Sequence, residues 1–173
     1  MKILSLFDGM SGAQVALQRA GIDVSEYHAC EIDRYAIQIT QKNFPRTIQH
    51  GSVVGYQPDF QPDLLVGGSP CQGFSFAGKR LNFDDFRSKL FFEYVRILKE
   101  SKPKYFLLEN VRMAKQSEQV ITTMLGVEPI EINSGLVSAQ TRNRLYWTNI
   151  PFKIPDDKKI YLTDILENGL ASH

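Results

Sequence analysis

Short apolar runs alternate with stretches whose apolar residues recur at helical spacing, along most of the chain. KILSLF at 2–7 is brief, apolar and followed closely by glycine, which predicts a buried strand. GAQVALQRAG at 12–21 carries a helical pattern that Gly21 ends. The same alternation predicts a strand in VSEYHACEI, a helix over 35–43 stopped by Pro45, and short strands in TIQH and DLLV. Segment 76–87 is polar, with Gly78, Lys79, Arg80 and paired aspartates, and reads as a mobile loop. Beyond it come a helix in SKLFFEYVRILKES, a strand in KYFLLE, a helix over 114–125, and strands in EPIEIN and RLYWTNI. Strands alternating with helices define an α/β domain, a doubly wound, mostly parallel sheet of Rossmann-like kind. No helix separates the last two strands, so one of them should run antiparallel.

Composition narrows the picture only slightly. The 173 residues suit one domain with a real core, and 43% hydrophobic against 23% charged residues is ordinary for a globular protein. A net charge of +1 gives no overall footprint for nucleic acid, so any such surface has to be a local patch. The start is too short and too soon acidic for a signal peptide, and no apolar run reaches membrane-spanning length. Cys30 and Cys71 are therefore expected as reduced thiols in the cytoplasm, Cys30 as a core residue of its strand. His28, His50 and His173 form no ligand spacing, and no metal is expected.

In a doubly wound sheet, ligands bind beyond the carboxyl ends of the strands near the switch in strand order. The first strand delivers FDGMSG to that edge, where Gly9 and Gly12 allow close backbone approach and the helix start offers free N–H groups. Glu31, at the end of the second strand, stands where a carboxylate accepts from both ribose hydroxyls, or else caps the next helix. This pattern alone does not separate a nicotinamide cofactor from S-adenosylmethionine. The fourth strand delivers GGSPCQGFS, with Pro70 stiffening the approach to Cys71 and Gly73 and Gly78 freeing the chain after it. The fifth ends in Glu109 and Asn110, where a half-shielded carboxyl group could hold a proton near neutral pH, or cap a helix. In QTRNRLYW, strand alternation puts Gln140, Arg142 and Arg144 on one face. Cysteines are usually structural and strand charges usually solvated. A thiol, an acid and arginines converging on one crevice are harder to assign that way.

At these residues the sequence resembles the DNA cytosine-5 methyltransferase family. FDGMSG is similar to its cofactor loop, GGSPCQGFS to its nucleophile loop, ENV to its acid motif and QTRNR to its arginine motif, in the family's order over nearly the whole chain. The resemblance implies S-adenosylmethionine as cofactor and DNA as partner. It makes Cys71 the nucleophile toward C6 of a flipped cytosine, with Glu109 on N3 and the exocyclic amine. Arg144 would bind O2, and Arg142 would support Cys71 or a phosphate. It implies a cofactor site of Phe7, Asp8, Gly9, Met10, Ser11, Gly12, Glu31, Ile32, Ser52, Val53, Ser69 and Pro70, with Phe7 on the adenine and Glu31 on the ribose. Gln72, Ser75, Asn110 and Gln140 would face DNA, and Lys79, Arg80 and Arg87 would touch phosphates as segment 76–87 closes. Residues 1–150 would be the catalytic domain.

Three departures stand out. Ser11 replaces a glycine, and Ser52 replaces an aspartate that reaches the adenine amine, which predicts weaker cofactor binding. The third is that 151–173, ending in YLTDILENGL and ASH, forms a tail that would lead into a recognition region, with Thr163 or Asp164 starting a short helix. Three readings follow: one part of a split enzyme completed by a second polypeptide, a small enzyme of low specificity working as a homodimer, or a noncatalytic DNA-binding or regulatory subunit. An RNA (tRNA) methyltransferase is disfavoured because Ser69 stands where that branch has proline, and a nicotinamide oxidoreductase because it leaves SPCQGFS unexplained. The helix around Leu90, Phe91, Phe92, Tyr94 and Val95 is apolar nearly all round, which predicts a helix packed on the sheet; an exposed Phe91 or Phe92 would mark a partner surface. The expected setting is the cytoplasm of a bacterial or phage-infected cell.

Overall fold

The computed structural model describes residues 1–70 and 86–166, with backbone only at 86–88. The expectations for Cys71, Gln72, Ser75, Lys79 and Arg80, for the Arg87 side chain and for the last seven residues lie outside that range.

Five strands and four helices come first: β1 (Lys2–Leu6) and α1 (Gly12–Arg19), β2 (Glu26–Cys30) and α2 (Arg34–Asn43), β3 (Ile48–Gln49), β4 (Leu64–Gly67) with α3 (Phe86–Ser101), and β5 (Tyr105–Asn110) with α4 (Lys115–Leu125). Then β6 (Ile130–Asn133) and β7 (Asn143–Thr148) close one sheet in the order β3-β2-β1-β4-β5-β7-β6. The pairs from β3 to β5 are parallel, and β7 runs antiparallel to both β5 and β6, as the missing helix between the last strands predicts. Strand order reverses between β1 and β4, which places the switch point there.

Alternation along each strand splits the core in two. Leu4, Leu6, Cys30, Leu65, Phe106, Leu108, Leu145 and Trp147 face α3 and α4 and pack with Phe91, Tyr94, Val95, Ile97 and Ile121. The Trp147 indole N–H donates to Thr122 Oγ1 at 3.0 Å, so the largest core side chain carries no unmet donor. Ile3, Tyr27, Ala29, Leu64 and Val66 face the other way, with Leu17 of α1. Phe91 and Tyr94 are fully buried, and Leu90 and Phe92 half-buried against the same core, so α3 is the packed helix its all-round apolar pattern allows.

The structure corrects three expectations. α3 begins at Phe86, so Phe86 and Arg87 belong to a helix rather than to the preceding loop. Of Gln140, Arg142 and Arg144, Arg144 alone lies in a strand. Gln140 and Arg142 precede β7, after a 3-10 turn at Ser134–Leu136 that Asn133 caps, and share no strand face with it. The expected helix near Thr163 is a 3-10 turn, Leu162–Asp164. No helix among the described residues is long and apolar enough to cross a membrane.

Candidate active site

Parallel pairing carries the ends of β1, β2, β4 and β5 to one edge of the sheet. Because β7 is antiparallel, its beginning reaches that same edge, and Arg144 near its start meets Glu109 near the end of β5. Arg144 Nε stands 2.9 Å from Glu109 Oε1, and Arg142 Nη2 stands 3.5 Å from the same oxygen. The Arg144 contact is an ion pair by distance only: its N–H is not aimed at the carboxylate and finds no acceptor, while Nη1 donates to Asn143 O at 2.8 Å. Arg142 is exposed and Arg144 mostly covered, so the latter is the better-fixed cation. Tyr146, across from Glu109 in the ladder, has its phenol pushed above the ordinary value by burial and by that carboxylate.

The approach to Cys71 is built from β4. A Cβ at Gly68 would stand 3.4 Å from Glu109 Oε2, so the missing side chain lets the acid lie against the chain that leads to the nucleophile loop. Asn110 is 3% exposed, and its Nδ2 donates to Ser69 O at 3.2 Å while Oδ1 accepts from Val111 N. Asn110 therefore ties β5 to the start of that loop, in place of the expected reach toward DNA. Ser69 is buried with its Oγ unpaired, and Pro70 is exposed. Gln140 is exposed, its carbonyl accepting from Ser134 Oγ.

At the other end, Phe7 (φ 58°), Gly9 (φ 57°) and Ser11 (φ 60°) are all left-handed, which folds the loop tightly back over the strand ends. Phe7 is half-buried against the main core. Glu31 accepts from Gly9 N at 2.7 Å through Oε2, and from Ile32 N and Asp33 N at 2.8 and 2.9 Å through Oε1. It thus clamps two loops together and keeps one lone pair of Oε2 for a ligand, fewer than two ribose hydroxyls require. The alternative of Glu31 as helix cap fails, since Asp33 caps α2 by accepting from Tyr35 N and Ala36 N. Ser52 is exposed, its Oγ accepting from Val54 N at 3.1 Å, and Val53 is buried. Arg96 of α3 holds this segment by donating to Tyr56 O at 2.7 Å.

A nucleoside fits this end. Apart from chain neighbours and the backbone of α1, no atom of the described residues lies within 4 Å of a Cβ built at Gly9 or Gly12, so the loop's outer side is open among them. Met10 and Ile32, 62% and 76% exposed, follow the two backbones that the Glu31 carboxylate joins and offer apolar surface beside it. Asp8 and Ser11 do not face this opening, because their side chains bond to each other and to the protein behind the loop. Tyr27, Thr40 and Gln14, which complete that bonding, had no sequence signal, being scattered over β2, α2 and α1. Cys30 is fully buried, and burial and the Asp8 carboxylate push its thiol up to about 12, so it is the core residue expected. Among the described residues no cluster suits a metal ion.

A glycine loop and acid at β1 and β2, with Glu109 at β5 and Arg144 at β7, define a Rossmann-like methyltransferase domain of the S-adenosylmethionine-dependent class. The comparisons are narrower. Residues 1–126 match the family described as C-5 cytosine-specific DNA methylase, and the chain belongs to that family. It is 39% identical to the type II methyltransferase M.NgoBV of Neisseria gonorrhoeae over 97% of this chain and 42% of that one. It is 33% identical to the orphan methyltransferase M.Rho11sI of Bacillus phage rho11s, over 97% of this chain and 33% of that one. The chain thus spans about two-fifths or less of these relatives' length. A DNA modification methyltransferase encoded within an E. coli prophage superimposes with a TM-score of 0.74 at 26% identity, covering 95% of this chain and 53% of that one. DNMT2 of Spodoptera frugiperda gives 0.65 at 24% identity, over 92% and 54%, a likeness of fold.

Proposed function

We propose that this chain carries the catalytic part of a DNA cytosine-5 methyltransferase. The observation that carries the reading is Glu109, which lies against Gly68 on the chain leading to Cys71 and pairs with Arg144 and Arg142 on its other side. Enzymes of this family take the methyl group from S-adenosylmethionine, and Gly9, Met10, Gly12, Glu31, Ile32 and Ser52 would hold that cofactor at the open loop.

The chemistry follows from what cytosine lacks. C5 of the aromatic ring is a poor nucleophile. The Cys71 thiolate adds to C6, forming an S–C6 bond and moving the ring's electron pair toward C5. Glu109 hydrogen-bonds the N3 and amine edge, and Arg144 the O2 carbonyl, so both accommodate charge that the ring develops during addition. For the base to reach Glu109, it has to displace one of the guanidinium contacts now made there. Once C5 carries the methyl group, loss of the C5 proton to a base returns the electron pair to the ring and expels the thiolate. The target nucleotide leaves the duplex to enter the crevice.

DNA containing 5-fluorocytosine tests this, because fluorine cannot leave C5 as a proton does and the S–C6 bond persists. With S-adenosylmethionine present, the wild-type chain is expected to form a covalent complex stable to denaturing electrophoresis, and Cys71→Ala to form none. A complex in the Cys71→Ala protein, or none with wild type despite bound cofactor and DNA, would sink the assignment of the nucleophile.

A further inference from the structure

Of the left-handed residues in the cofactor loop, Phe7 and Ser11 are not glycine. An L-residue stays in that conformation only where its surroundings hold it there. Ser11 is held by its backbone, whose N–H donates to Asp8 O at 3.1 Å, and by its side chain. Its Oγ donates to Asp8 Oδ2 and accepts from Thr40 Oγ1 at 3.2 Å and from Gln14 Nε2 at 3.2 Å. Gln14 Nε2 is anchored in turn on Thr47 Oγ1 at 2.8 Å. The second oxygen of Asp8 accepts from the Tyr27 hydroxyl at 2.6 Å. Tyr27 lies near the start of β2, 4% exposed and packed in the core with Leu17 and Ile3, so its ring is fixed. Burial and the adjacent Asp8 carboxylate both push its phenol pKa up, and the proton stays on the oxygen that donates it.

Ser11, Tyr27 and Thr40 are buried, and the side chains of Asp8 and Gln14 bond inward to Tyr27 and Thr47. The open side of the loop presents Gly9, Met10 and Gly12, and the φ of Ser11 sets where Gly12 and the start of α1 stand relative to Gly9. A glycine at position 11 would enter this conformation unaided, whereas a serine has to be held.

We propose that Tyr27 is a positioning residue for the cofactor loop, holding Ser11 left-handed through Asp8 and so keeping Gly9 to Gly12 in binding form. This rests on reading the crevice as the S-adenosylmethionine site. Tyr27→Phe keeps the ring and removes only the hydroxyl, leaving a carboxylate oxygen without its donor. Hydrogen exchange of the amides at 8–12 in the free protein is expected to rise about tenfold, with β5 and α4 unchanged. The Kd for S-adenosylhomocysteine, measured by calorimetry, is expected to rise about tenfold, the scale of one hydrogen bond to a charged group. Adding Ser11→Gly to Tyr27→Phe should return that Kd to within about threefold of wild type, because glycine needs no holding. A tyrosine that only packs the core would leave the exchange at 8–12 and the Kd unchanged in Tyr27→Phe, which keeps the ring. Thr40→Val, which removes another donor to Ser11, gives the same readouts should Tyr27→Phe not fold. Unchanged exchange at 8–12 overturns the proposal whether or not ligand binds. A wild-type chain that binds no S-adenosylhomocysteine overturns the reading of the crevice instead, and the exchange measurement still decides the role of Tyr27.

Discussion

One methyl group at Gly67 would disturb both the core and the site. A Cβ there would lie 2.9 Å from Tyr94 Cε2, 3.0 Å from Cδ2 and 3.1 Å from Leu6 O. The Tyr94 ring is fully buried and Leu6 O belongs to the backbone of β1, so neither can step aside freely. Gly67→Ala is expected to cost about 1–3 kcal/mol, the usual range for an overpacked core, read as a fall in the denaturant midpoint at unchanged m. A variant as stable as wild type would mean that β4 does not approach Tyr94 this closely. Residues of this kind were only partly legible. Glu109, Arg144 and Cys71 announce themselves by chemistry in a glycine-rich or strand-end context. Asp8 and Ser11 sit in an equally suggestive motif yet turn inward, because which way a loop side chain points depends on partners such as Tyr27 and Thr40 that no local pattern marks.

The weakest element of the sheet is β3, two residues long at the edge, and a histidine pair fastens its end to β2. His28 Nδ1 lies 2.9 Å from His50 Nε2, a bond that needs exactly one proton between the two nitrogens. The remaining His28 nitrogen faces Glu26 at 3.3 Å, which also pairs with Lys2; Phe60 stacks on His28, Tyr56 lies against His50, and Asp59 acts on His50 in the opposite sense. Burial, followed by His28, holds the His50 pKa below its ordinary value. The folded state therefore resists a proton that the unfolded chain accepts near pH 6.5. This contribution to stability is complete above that pH and is lost as pH falls from it through the lowered folded pKa. Denaturant midpoints between pH 7.5 and 5 are expected to decline more steeply for wild type than for His50→Gln. Equal slopes would remove His50 from the account. Among the elements, kind and order were legible because periods of two and 3.6 differ plainly along this chain. The ends were less so: β2 stops at Cys30 because Glu31 turns to clamp the loops, and β7 starts at Asn143 because Asn133 caps a turn that delays it.

For the molecule as a whole, coverage of the sheet is uneven. The side facing α3 and α4 buries Phe106, Leu108, Leu145 and Trp147, while Tyr105, Leu107 and Tyr146 on the opposite side are half-covered. The reactive edge is thus assembled on a sheet with one finished face beside β5 and β7. A net charge of +1 supplies no long-range attraction to DNA, so under the proposed function association would rest on local contacts to phosphate, which hold the duplex but carry no sequence information. The resemblance places base-reading elements after β7, and these residues span about two-fifths of the relatives' length. Two duplexes of equal length and different sequence should therefore bind this chain within about threefold of each other. Their affinity should lie in the non-specific range of about 10⁻⁴–10⁻⁶ M at physiological salt and weaken as salt rises. Competition binding at two salt concentrations measures both. A preference of about tenfold or more for one duplex, surviving the higher salt, would mean that residues within this chain contact base edges.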